Sequence, residues 1–145
     1  MWKGENVMYE YHGWATVRAS ASFDDDIDEA PIVQEIQDYI HELNWTSGVL
    51  DIRVVNGDFQ VWIAGLDNHK PSEKYDPIEI FKKIGDAAPG SYGILYIRDG
   101  DDVESFNIFK VYTLIRGEVK GHDDPFLSPF IPKLEDPDPG CLSES

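Results

Sequence analysis

Residues 49–66 read VLDIRVVNGDFQVWIAGL, two runs of alternating apolar and polar positions on either side of Asn56-Gly57. Asn-Gly is the strongest short-range signal for a two-residue type I′ hairpin turn. That turn sets Val55 opposite Asp58, Val54 opposite Phe59, Arg53 opposite Gln60, Ile52 opposite Val61, Asp51 opposite Trp62 and Leu50 opposite Ile63. Side chains alternate between the faces of a strand, so Leu50, Ile52, Val54, Phe59, Val61 and Ile63 share one face, the predicted core face. Asp51, Arg53, Val55, Asp58, Gln60 and Trp62 share the other. A one-residue slip would mix the two sets, so turn and pattern specify a single register. Trp62 is the one large apolar residue on the polar side.

The same periodicities extend along the chain. Residues 8–22, MYEYHGWATVRASAS, are rich in aromatic and β-branched types and predict a first strand. Its alternation is imperfect, and Gly13 suggests a bulge or a close approach there. Ile32, Val33, Ile36, Tyr39, Ile40 and Leu43 recur at helical spacing, predicting an amphipathic helix to about Asn44 with Pro31 in its first turn. Asp76-Pro77-Ile78-Glu79 is a helix start, with an N-cap, a first-position proline and an acid at the capping-box position; Ile80, Phe81 and Ile84 form the inner stripe. Residues 92–98 predict a strand, residues 99–102 a turn, and residues 105–115 another strand. A short last strand over residues 116–120 follows a bend at Gly117.

The order β-α-β-β-α-β-β(-β) implies an α+β fold, a mixed, mostly antiparallel sheet with two helices packed on one face. Residues 124–134 hold too many prolines for regular structure but are too apolar for a free tail, so an extended segment should lie over the domain. Residues 8–136 then form a single domain, residues 1–7 an N-terminal extension and residues 137–145 a disordered tail.

Composition changes this picture mainly through charge. A formal net charge of −16 argues against direct binding to nucleic acid or anionic membranes, and favours rapid association with a basic partner. A single cysteine, Cys141, excludes an intrachain disulfide framework. No signal-peptide core or membrane-length apolar run occurs, which points to the cytoplasm. His12, His41, His69 and His122 stand at no metal-ligand spacing, and Asp99-Gly100-Asp101-Asp102 lacks the rest of a calcium loop. No phosphate-cradling glycine loop, dinucleotide fingerprint or nucleophile elbow is present. No metal, cofactor or catalytic residue is therefore assigned, and the reading is a non-enzymatic one.

Trp62 is the candidate binding anchor, because tryptophans ringed by polar groups make effective hot spots. Asp51 and Gln60 share its face. The acidic runs of Asp24, Asp25 and Asp26, and of Asp99, Asp101, Asp102 and Glu104, are candidates for a charged rim. The competing reading is that a helix or the C-terminal segment covers Trp62.

Two stretches carry a family resemblance: MYEYHGWATVR, residues 8–18, and DDPFLSPFIPKLED, residues 123–136. With the strand end Trp62-Ile63-Ala64-Gly65 between them, they resemble the immunity protein 7 family of bacterial polymorphic toxin systems. The resemblance implies an α+β cytoplasmic protein that binds and neutralises a cognate secreted toxin, among which ADP-ribosyltransferase domains are one class. Trp14 corresponds to the family's characteristic tryptophan, for which a structural role is expected. The resemblance carries no catalytic residues. Occlusion of a basic active-site cleft on the toxin is the leading expectation. An enzyme that reverses the toxin's modification, and an acidic mimic of nucleic acid, are the alternatives. The sequence does not decide the oligomeric state.

Overall fold

The computed structural model describes residues 8–20 and 28–136. Six strands form one sheet: β1 (Tyr9–Val17), β2 (Gly48–Val55), β3 (Asp58–Asp67), β4 (Tyr92–Asp99), β5 (Lys110–Ile115) and β6 (Glu118–Asp123). The sheet order is β2-β3-β1-β4-β5-β6. All of its pairings are antiparallel, so the sheet is wholly antiparallel rather than mixed. Helices α1 (Ala30–Leu43) and α2 (Pro77–Ala87) pack on one face, and a short α3 (Ile131–Leu134) lies near the C-terminus.

The hairpin forms in the register that its turn demands, from Val55 opposite Asp58 to Leu50 opposite Ile63. Asn56 (φ 51°) and Gly57 (φ 88°) both occupy the left-handed region that a type I′ turn requires. Val61 and Ile63 are fully buried, while Leu50, Ile52 and Phe59 pack partly against the core. Val54 departs from the expected core assignment: it has core-face parity but is 59% exposed, while its cross-strand partner Phe59 packs partly against the core.

β1 occupies the centre of the sheet, between β3 and β4. It ends at Val17 rather than continuing to residue 22. Beyond it, Arg18 N–H donates to Ser91 Oγ at 3.1 Å, and Ala19 N–H donates to Glu29 Oε1 at 3.1 Å, in place of ladder bonds. No bulge interrupts β1: its pairing with β3 is continuous from Tyr9 opposite Asp67 to Val17 opposite Phe59. Tyr9, Tyr11, Ala15 and Val17 point into the core, and Gly13 takes the remaining inward position. A Cβ there would lie 2.8 Å from the Leu95 side chain, so the glycine marks a close approach.

Both helices begin and end where their signals stand. α1 carries proline in its first turn, buries Val33, Ile36, Ile40 and Leu43, and ends on Asn44 in the left-handed region. α2 is capped by Asp76, which accepts from Ile78 N–H at 2.9 Å, and it buries Ile80, Phe81 and Ile84. Burial lifts the Asp76 carboxyl above the usual range, and the Ile78 N–H offsets part of the effect.

The expected strand over residues 105–115 starts late, at Lys110. Asp102 accepts from Glu104 N–H (3.0 Å) and Ser105 Oγ (2.7 Å), bending the preceding residues into turns. A second left-handed pair, Arg116 and Gly117, turns the chain into β6, which runs to Asp123 rather than Lys120.

Residues 124–136 lie against the domain, although α3 supplies one helical turn where none was expected. Asp124, 3% exposed, accepts from Phe126 N–H (3.0 Å) and Leu127 N–H (2.9 Å). Ser128 Oγ accepts from Phe109 N–H at 2.8 Å, and Phe130 stacks edge-on against Phe109. Among the described residues, no helix is long and apolar enough to cross a membrane.

Candidate functional site: the open face of the sheet

Alternation on β1 sends Glu10, His12, Trp14 and Thr16 to the face opposite the helices. Register then fixes their neighbours. Trp14 lies opposite Trp62 on β3 and opposite Ile94 on β4. His12 lies between Ala64 and Tyr96, and Thr16 between Gln60 and Tyr92. The result is an apolar groove across the middle strands, lined by Trp14, Val49, Trp62, Ala64, Ile94 and Tyr96. Trp14 is 39% exposed and its ring meets Tyr92 edge-on, with centroids 6.1 Å apart. Trp62 is half-buried at the groove floor. Val49, Tyr92 and Ile115 extend the exposed apolar surface along the same face.

One end of this face is closed. Arg98 on β4 is buried, with its guanidinium 4.4 Å from the Phe130 ring and its Nε 3.6 Å from Glu10 Oε1. Glu10 also meets His12 Nε2 at 2.7 Å. The C-terminal segment therefore covers the sheet beside Arg98 and Phe109, leaving Trp14 and Trp62 in the open groove. Among the described residues, no helix and no part of the C-terminal segment lines the groove at Trp62.

The candidate residues fall into two groups. Asp51 is the direct cross-strand neighbour of Trp62, and Gln60 shares its strand and face. Asp51 is not a free charge, because its Oδ2 lies 2.5 Å from Arg53 Nε. Asp99, Asp101, Asp102 and Glu104 lie elsewhere. Asp99 pairs with Tyr9, five residues along β1 from Trp14, about 17 Å at strand rise. Asp101 holds His69 at 2.8 Å, and Asp102 is held low by Ser105 and the neighbouring N–H groups. These carboxylates thus form an acidic end, not a ring around the tryptophan. Asp24, Asp25 and Asp26 lie outside the described residues.

Trp14 was expected to be structural, and Tyr92, Ile94 and Tyr96 were not singled out. Alternation within residues 8–17 could have placed Trp14 outward, but only the neighbouring strand order brings it to Trp62. A cleft of about 590 Å³ also lies between α1 and α2, near Tyr39, Glu42, Glu73, Lys74, Glu79 and Lys83. Its cations are engaged locally: Lys83 lies over Tyr39 and Lys74 over Tyr75. The sheet groove is the more apolar surface of the two.

Comparison with known proteins gives one match. The family model described as Immunity protein 7 matches residues 8–136. No curated protein and no solved structure matches the chain.

Proposed function

Because the chain belongs to the Immunity protein 7 family, it is an immunity protein that binds a cognate toxin, and we propose that it holds that toxin on the open face of its sheet. The observation that carries this reading is the pairing of Trp14 and Trp62 in an apolar groove that is uncovered among the described residues. Paired aromatics on adjacent strands present large contact area with little side-chain entropy to lose, which suits a binding anchor. Tyr92, Ile94 and Tyr96 extend the anchor, while Asp51 and Gln60 supply polar contacts at its edge.

The net charge of −16 supports a basic toxin surface, such as the cleft of an enzyme that handles nucleotides. ADP-ribosyltransferase domains, the class implied by the resemblance, have substrates of that kind. On this reading the protein acts in the cytoplasm of the toxin-producing cell and occludes the toxin's cleft. It needs no cofactor.

Co-purification with the product of the adjacent toxin-like reading frame, followed by titration calorimetry, tests the reading. A stoichiometric complex that weakens on Trp62→Ala while the protein stays folded supports it. A tight complex indifferent to both Trp14→Ala and Trp62→Ala moves the toxin to another face. Protection without a complex replaces occlusion with reversal of the toxin's modification.

A further inference from the structure

We propose that β2 is a self-association edge, through which two copies of this chain pair antiparallel about a two-fold axis at Ile52. Among the described residues, nothing lies beyond this strand in the sheet, whose order begins at β2. Sheet edges are ordinarily blunted by charged side chains, lysine above all, by proline, by a bulge or by shortness. β2 is eight residues long, reads GVLDIRVV without lysine or proline and pairs with β3 without interruption, and its two charges, Asp51 and Arg53, are of opposite sign. Val49, Val54 and Val55 are 54%, 59% and 42% exposed along it.

The backbone fixes which residues can pair outward. A two-residue hairpin turn makes Val55–Asp58 a hydrogen-bonded pair, and such pairs alternate along an antiparallel ladder. Val55, Arg53, Asp51 and Val49 therefore spend their N–H and C=O groups on β3. Those of Val54, Ile52, Leu50 and Gly48 point to the free edge. A two-fold axis at Ile52 sets Ile52 against its own copy and Leu50 against Val54 of the second copy, all with outward backbone groups.

That register is also the one the side chains favour. It places Asp51 opposite Arg53 of the second copy, and Arg53 opposite Asp51, in the closer non-hydrogen-bonded positions. Val49 meets Val55 of the second copy. An axis one residue earlier would oppose two aspartates, and one residue later two arginines. Asp51 and Arg53 already contact each other within one chain at 2.5 Å, with 40% and 70% of their side chains exposed, so the dimer would join two such pairs into a four-charge cluster. Isologous contacts of this self-complementary kind are how two-fold dimers form.

The opposite edge does not offer the same fit. β6 also carries an acid and a base two apart, Glu118 and Lys120. They stand at its first residues, so the axis that matches them overlaps the strand for only a few positions. In β2 the axis falls near mid-strand and the whole element pairs. Val49 and Asp51 border both this edge and the groove on the sheet face, so self-association is measured without toxin.

Sedimentation velocity on the full chain without toxin, from low to high micromolar concentration, tests it. The wild type should shift from monomer towards dimer. Asp51→Arg and Arg53→Asp should each self-associate about tenfold or more weakly, because each opposes like charges across the axis. Mixed in equal amounts, the two variants should regain association as a heterodimer, since arginines of one then face aspartates of the other. Circular dichroism melts identify any variant that fails to fold, and the double swap Asp51→Arg/Arg53→Asp, which keeps both pairs, should dimerise like wild type. A wild type that stays monomeric throughout overturns the proposal. So does a dimer unaffected by either single change, or a mixture that remains monomeric.

Discussion

Trp14 and Trp62 stand directly opposite one another on β1 and β3, on the side of the sheet away from the helices. The next pairs along the same two strands, Ala15 with Val61 and Gly13 with Ile63, face the core. One pair of strands therefore builds the packed interior and the exposed aromatic surface together. Tryptophans fixed this way are presented by rigid backbone, which reduces the ordering cost of binding.

Truncating the anchor should cost affinity without unfolding the protein. Trp62→Ala is expected to weaken toxin binding by at least about 2 kcal/mol, roughly 30-fold. Trp14→Ala should act in the same direction. Calorimetric titration beside a thermal melt separates lost contact from lost fold. Unchanged affinity in both variants would remove the groove from the interface.

Long-range attraction should show in the association rate. With 28 acidic against 12 basic residues, the chain should meet a basic toxin fastest at low ionic strength. Stopped-flow association should slow markedly as salt rises to physiological levels, where fields are screened within about 8 Å. A rate flat over that range would eliminate steering by net charge.

Asp124 should prove a pH-dependent fastener of the C-terminal segment. Desolvation alone would raise its carboxyl, but the N–H groups of Phe126 and Leu127 and the Ser128 hydroxyl outweigh it and hold the group below the usual aspartate range. A depressed folded-state value stabilises the fold above the unfolded value, about 3.9, and the contribution disappears as pH falls through the folded value. Asp124→Ala should cost about 1–3 kcal/mol at neutral pH by leaving those donors without their acceptor. Denaturant melts should show the penalty shrinking below pH about 4. A penalty constant across that window would assign it to packing alone.

Two glycines should differ sharply in tolerance. Gly57 has φ 88° and open space where a Cβ would go, so Gly57→Ala should cost only about 1 kcal/mol of backbone strain. At Gly93 a Cβ would collide with the β1 backbone and lie 2.9 Å from the Ala15 Cβ. Gly93→Ala should cost about 1–3 kcal/mol or more, because neither central strand can retreat. Urea melts of the two variants check the order, and a Gly93→Ala milder than Gly57→Ala would contradict the strand packing described.

Much of the fold was legible because its signals are local. Asn56-Gly57 fixes φ at two residues and with it the whole hairpin register. Asp76-Pro77 starts α2 through one capping bond and one preset dihedral. Where the sequence misled, a longer-range or side-chain interaction intervened. Residues 105–109 have strand-like composition, yet the Asp102 carboxylate captures the backbone first. Val54 has core-face parity, yet it stays exposed on the outer strand while Phe59 opposite it takes the contact with the core. Trp62 was recognisable as an outward tryptophan from the hairpin alone. Its partner Trp14 was not, since that neighbour depends on which strand lies beside β3.

By itself the sequence determined the two long helices, the hairpin and its register, the α+β class and the family, because turns, caps and periodicity act over a few residues. The tertiary structure decided that β1 inserts between β3 and β4, since strand order is set by how the sheet and helices together bury the apolar set. That choice placed Trp14 beside Trp62 and moved the Asp99–Glu104 carboxylates to the far end of β1. It also left β2 with a free edge. Alternation assigns each side chain a face, but only the folded sheet assigns it neighbours.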